Sequence, residues 1–285
     1  MSGHPRAPAD GGGPTRFARF ALPPNLLGYC GPDDGVALFE YGASGVVDGG
    51  LRALAEAFDG AWPYLELIAG GRGIDDPLDG RVIDAYWLGG PLLDGLPLAL
   101  VGNSLDDRFR RRAGRGWEAV AASVTPSTRL SHGFHVFAVY PWVGLLRSGS
   151  VDHPLNVLDR CRIRWGRVLS VEADEVTVRT RRLTWDGARL GLGAAVVEQA
   201  RRGRDGVALV DVHEGDHVAL HWDWVCERLD RRRLAHLRRD TSGQLEAVNR
   251  DLAASGPARL LTGTATRCPA AVAFRRPSGL RSHTA

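Results

Sequence analysis

The spacing of apolar residues changes once along this chain, near residue 160, and that change limits the possible folds more than any other feature. Before it, apolar residues recur at helical intervals, as do Val82, Ile83, Tyr86 and Trp87 within Asp79–Trp87. The spacing predicts helices over Gly50–Phe58, Trp62–Ile68, Asp79–Trp87 and Phe109–Ala122, with Pro63 tolerable at a helix start. After it, Arg162–Val171, Glu175–Arg181, Val207–Val212 and residues 217–225 alternate as strands. Trp185–Gly203 is expected to hold a strand and a short helix. Leu229–Leu252 reads as an amphipathic helix with Leu234, Leu237, Leu245, Val248 and Leu252 as its stripe. The expectation is an α+β protein: a helical domain over 16–150, a linker at Val151–Asn156, and a small β-barrel with a C-terminal helix over 157–253. Residues 1–15 read as disordered and 255–285 as a mobile tail, because neither carries a periodic apolar pattern.

All 36 basic residues are arginine, and the net charge of +3 is too small to require an anionic partner. Cysteines stand far apart at 30, 161, 226 and 268, without a secretory segment, which predicts reduced thiols and a cytoplasmic protein. No apolar run has the length of a membrane span.

Two segments carry the most chemistry. Cys161-Arg-Ile-Arg-Trp-Gly-Arg-Val168 reads as a strand with a tight Gly166. About fifty residues on, a Glu214-Gly-Asp216 turn feeds the 217–225 strand, with His217, His221 and Asp223 on one face. Val168, Val178, Val218 and Leu220 are the expected barrel core. Cys161 is a candidate soft metal ligand, and Arg160, Arg162 and Arg164 are expected to favour its thiolate. The alternative is a small hydrophobe buried in a barrel strand. Trp222 and Trp224 read as core.

These two segments resemble the HypC/HupF family of hydrogenase maturation chaperones. The family's Met-Cys-x-x-x-Pro-Gly-x-Val start is matched by Cys161, Gly166 and Val168, and its Gly-Asp-x-Val-x-x-His strand by Gly215, Asp216, Val218 and His221. The resemblance covers residues 157 to 252. It departs where Trp165 replaces the proline, where Cys161 is internal, and where an Arg-rich insertion surrounds Arg201–Asp205. It implies an OB-like barrel and an accessory factor for [NiFe]-hydrogenase maturation, handling an iron fragment through an accessible Cys161 with His221 beside it. The factor would work by presenting ligands and docking, not by turnover. Its partner would be another maturation protein or the hydrogenase large subunit, with no membrane and no nucleic acid. The N-terminal half is similar to an actinobacterial family with no assigned function, through Arg16–Asn25 and Phe134–Trp142.

A second chemistry is open. His132 and His135 are three apart, a spacing that puts both imidazoles on one helix face, and Cys30 sits in a turn; together they are candidate ligands of a metal-dependent enzyme. A barrel that binds nucleic acid is a third reading, weakened because basic and aromatic residues do not share one strand face. Asp33-Asp34, Asp75-Asp76 and Asp106-Asp107 read as loops and caps, and the Arg runs 110–112, 231–233 and 238–239 as solvated helix faces. No P-loop, dinucleotide fingerprint, nucleophile elbow or Cys-x-x-Cys is present.

Overall fold

A computed structural model describes residues 12–96 and 129–254. The helix expected at Phe109–Ala122, the 255–285 tail, Cys268, Asp106-Asp107 and the Arg run 110–112 lie outside the described residues, as do residues 1–11.

The protein is α+β: helices come first, a closed five-strand barrel follows, and a helix ends it. The first helices are α1 (Gly12–Leu26), α2 (Gly35–Ser44), α3 (Gly49–Glu56), α4 (Trp62–Gly71) and α5 (Gly80–Leu88). The last three agree with the periodicity. Helix α1 begins at Gly12, so residues 12–15 of the stretch expected to be disordered are helical, with Gly13 and Thr15 buried. Acidic caps start three of these helices. Asp34 accepts from Ala37 N at 3.4 Å, Asp48 from Leu51 N at 3.0 Å and Asp79 from Arg81 N at 2.8 Å, each filling an orphan amide of a first turn.

Beyond the undescribed stretch, a short α6 (His132–Phe134) opens into a π-turn (His135–Val139), then α7 (Trp142–Arg147) and α8 (Asp152–Cys161). Helix α8 replaces the linker expected at Val151–Asn156. Its Pro154 falls in the first turn, where the missing N–H removes no helical bond.

The barrel is built from β1 (Arg164–Val171), β2 (Glu175–Trp185), β3 (Leu190–Arg201), β6 (His217–His221) and β7 (Trp224–Leu229). A small β4 (Gly203–Arg204) and β5 (Val207–Ala208) form a separate ribbon. Around the barrel the order is β1-β2-β3-β7-β6, closing on β1, and β3 meets β7 in parallel. Strand β3 fills the stretch expected to contain a helix, and only Val207–Ala208 of the expected 207–212 strand forms. The expected 217–225 strand is two strands. It breaks at Trp222-Asp223, which make a two-residue hairpin with His221 opposite Trp224.

Val168, Val178, Val218 and Leu220 are all buried inside, as expected. Full burial of each such side chain is worth about 1.5–3 kcal/mol. At Gly166 an added Cβ would lie 3.2 Å from Val178 and 3.3 Å from Leu220, so the glycine lets three strands close tightly. The final helix, α9 (Arg231–Ala254), buries Leu234, Leu237, Leu245 and Val248. One apolar core runs without a break from Phe17 and Phe20 in α1, through Val168 and Val218 in the barrel, to Leu237 in α9. Among the described residues no helix is long and apolar enough to cross a membrane.

Candidate metal centre

Three element ends converge where the helices meet the barrel. His132 opens α6, Cys161 closes α8, and His221 closes β6. Their ligand atoms all lie within 4.8 Å of one another, and all three side chains are buried. Such a group could hold a metal ion: two imidazoles and a thiolate suit a transition metal.

His221 is oriented by a consequence of the α1 sequence. An α-helical carbonyl takes its hydrogen from the amide four residues on. Pro24 has no such hydrogen, so the carbonyl of Phe20 loses its helical donor. His221 Nδ1 supplies the hydrogen, at 2.7 Å. That bond fixes the tautomer and leaves a lone pair on Nε2, which is buried with no hydrogen-bond partner.

His132 is held differently. Its Nε2 lies 2.8 Å from the carbonyl oxygen of Cys161 and 4.0 Å from the Cys161 sulfur, while Nδ1 faces the Tyr86 hydroxyl at 3.5 Å. Helix α9 clamps the segment before it. Ser131 Oγ donates to Asp240 at 2.7 Å, and Gln244 Nε2 donates to the Arg129 carbonyl at 3.0 Å and to Ser131 Oγ at 3.2 Å. Trp87 packs on both imidazoles, with ring centroids 4.6 Å from His132 and 5.6 Å from His221.

The electrostatics follow from burial. It pushes His132 down to about 4 and His221 well below the ordinary imidazole value, so both stay neutral. His221 keeps its lone pair on Nε2, whereas His132 Nε2 carries the hydrogen given to the Cys161 carbonyl and its lone pair lies on Nδ1 toward Tyr86. It pushes the Cys161 thiol well up, against the expectation that nearby arginines favour the thiolate. The reason is that those arginines are engaged elsewhere. The Arg160 guanidinium pairs with Asp223, Arg162 with Asp159, and Arg164 with Glu198. Cys161 is only 5% exposed, which also corrects the expectation of a thiol open at one mouth of the barrel.

Of the five residues singled out from the sequence, the fold brings together Cys161, His221 and His132. His135 stands outside the group: the backbone opens into the π-turn there, and Nδ1 meets the Tyr64 hydroxyl at 3.0 Å. Burial pushes His135 down to about 3. Cys30 lies in the loop after α1, half-buried and outside the group, its thiol pushed up to about 12 by burial. His217 is half-exposed on β6, and Trp222 and Trp224 are buried, as read. Sequence reasoning missed Phe20, Tyr86, Trp87, Ser131 and Asp240. The Pro23-Pro24 pair inside a helix was a signal for the first of these.

No curated protein and no solved structure matches the chain. Residues 9–255 match a family of unknown function, DUF6390, and the chain belongs to that family.

Proposed function

We propose that this protein is a metalloprotein in which His132, Cys161 and His221 hold one transition-metal ion. The observation that carries this reading is the Nε2 lone pair of His221, buried without a partner beside a thiol and a second imidazole. A buried polar atom left unpaired costs about 1–3 kcal/mol, and coordination would offset that cost. Bound there, an ion would supply a positive charge that holds the Cys161 sulfur as thiolate despite its burial. His132 Nε2 would exchange its bond to the Cys161 carbonyl for the ion, with its proton moved to Nδ1 and the Tyr86 oxygen accepting it.

Thiolate with two imidazoles suits zinc, copper or iron. Burial of all three side chains shields an ion held there from bulk solvent, while three protein ligands leave a fourth position for a further group. The test is metal analysis of the full-length protein purified without chelator, with titrations by Zn(II), Co(II) and Cu(I). One bound ion per chain, lost in Cys161→Ser and in His221→Ala, supports the reading. Absence of stoichiometric binding by all three ions overturns it.

One observation favours a second reading, the maturation factor handling an iron fragment. The two segments that carry the chaperone resemblance pair side by side, with Arg164 opposite Leu220 and Gly166 opposite Val218, and this brings Cys161 and His221 together. Counting only the barrel strands, the order first-second-third-fifth-fourth supports an OB-like barrel. Infrared spectra of anaerobically purified protein separate the readings. Bands from iron-bound cyanide or carbon monoxide support the maturation factor, and metal without them supports a resident ion.

A further inference from the structure

The hairpin that follows His221 is made in an unusual way. Two-residue hairpins that need a positive φ ordinarily place glycine, asparagine or aspartate there. Here Trp222 takes φ 52, one of two non-glycine residues with positive φ among those described. Such a backbone costs on the order of 1–3 kcal/mol and persists only where its surroundings hold it.

Those surroundings all come from the neighbourhood of Cys161. The Trp222 N–H donates to the carbonyl of Arg160, the residue before Cys161, at 2.7 Å. The Trp222 carbonyl accepts from Arg164, three residues after Cys161, at 2.6 Å. Arg164 is itself 1% exposed and anchored by Glu198. The Arg160 side chain pairs with Asp223, the second residue of the hairpin. The indole of Trp222 stacks on Tyr29 with ring centroids 4.7 Å apart. Both peptide groups of the strained residue are thus tied to the chain on either side of one ligand, while the residue directly before it is another.

We propose that Trp222 is a positioning residue that fixes His221 against Cys161 and thereby sets which metal ions the centre accepts. The proposal rests on the metal reading above. A hairpin free to relax would let the imidazole drift from the sulfur. A pinned hairpin holds the separation and rejects ions whose coordination needs a different one. Arg160 and Arg164 supply the clamp.

The experiment uses the full-length chain and titrates Zn(II), Co(II) and Cu(I) into wild type, Trp222→Gly, Trp222→Phe and Tyr29→Ala. Folding is checked by circular dichroism. Glycine adopts φ 52 without strain and keeps both backbone ties, so it removes only the ring that stacks on Tyr29 and holds the hairpin from that side. Trp222→Gly should lower affinity unequally among the three ions, with a shifted sulfur-to-cobalt absorption band. Trp222→Phe keeps a ring to stack on Tyr29 and should restore both affinity and band. If Trp222→Gly does not fold, Tyr29→Ala, altered at a half-buried site, carries the same expected loss. A folded Trp222→Gly or Tyr29→Ala with wild-type affinities and an unshifted band overturns the positioning role and leaves the metal reading intact. Wild-type protein that binds none of the three ions overturns the metal reading itself, and this inference with it.

Discussion

His221 donates to the carbonyl of Phe20, a backbone group that Pro24 leaves without its helical donor. A helix imperfection in α1 and the orientation of an imidazole 201 residues on are therefore one feature. Pro24→Ala would return an amide hydrogen to Phe20 and set the helix in competition with the histidine. The variant should fold at least as well as wild type, because a helical bond is regained. Its zinc affinity should fall about 10- to 100-fold, as for other lost outer partners. Calorimetric titration of both proteins reads this directly. Unchanged affinity would show that the Phe20 bond does not orient a ligand.

The three ligands and the nearby cysteines separate by substitution. Cys161→Ser, His132→Ala and His221→Ala should each lose metal by more than the roughly 100-fold upper range of outer-shell changes. Cys30→Ser and Cys226→Ser should keep wild-type stoichiometry, since neither sulfur joins the group. Loss of metal in Cys226→Ser with retention in Cys161→Ser would put the centre elsewhere.

Acid should destabilise the metal-free protein. His132 is held at about 4, His135 at about 3, and His221 well below the ordinary 6.5. Unfolding restores the ordinary value, so between about pH 6.5 and pH 4 these groups bind more protons in the unfolded chain, and stability falls as pH falls. Asp240, raised to about 6 by burial, and Glu227, also raised, oppose this, because they take protons first in the folded state. Asp251, raised by burial, opposes it as well, while His217 and His236, lowered by burial, add to the imidazoles, so five imidazoles outweigh three carboxyls. The urea midpoint of chelator-treated protein should drop from pH 7 to pH 5, and a midpoint that rises would refute the assignment of buried neutral histidines.

Val218→Asp places a charge at a fully buried position of β6. The expected cost is at least about 4 kcal/mol, the range reached by unpaired buried charges. Because the core continues from α1 into the barrel, helical circular dichroism and tryptophan fluorescence should be lost together. A soluble variant with wild-type cooperativity would mean that Val218 does not face the core.

Much of the barrel was legible because Val168, Val178, Val218 and Leu220 obey a period of two, and α9 because its leucines obey 3.6. Strand β3 was obscure for a physical reason. Its Ala194–Val197 run is exposed on successive residues, so no alternation marks it. The hairpin at Trp222-Asp223 carries no glycine, and the ties that hold it come from α8 and β1, which no local pattern reveals. The His132/His135 pair was visible, but its spacing assumed a regular helix; the π-turn sends one imidazole to Tyr64 and the other to Cys161. The chaperone resemblance implied His221 beside Cys161; that His132 joins them is a property of the packed chain alone.

The clasp between Ser131 and Asp240 has a consequence for biosynthesis. The segment bearing His132 is fastened by α9, the last described element to leave the ribosome. A growing chain exposes its first candidate ligand long before the fastening helix exists. The three side chains are therefore fastened in place only once α9 has been made, and any ion they hold would be loaded after that point.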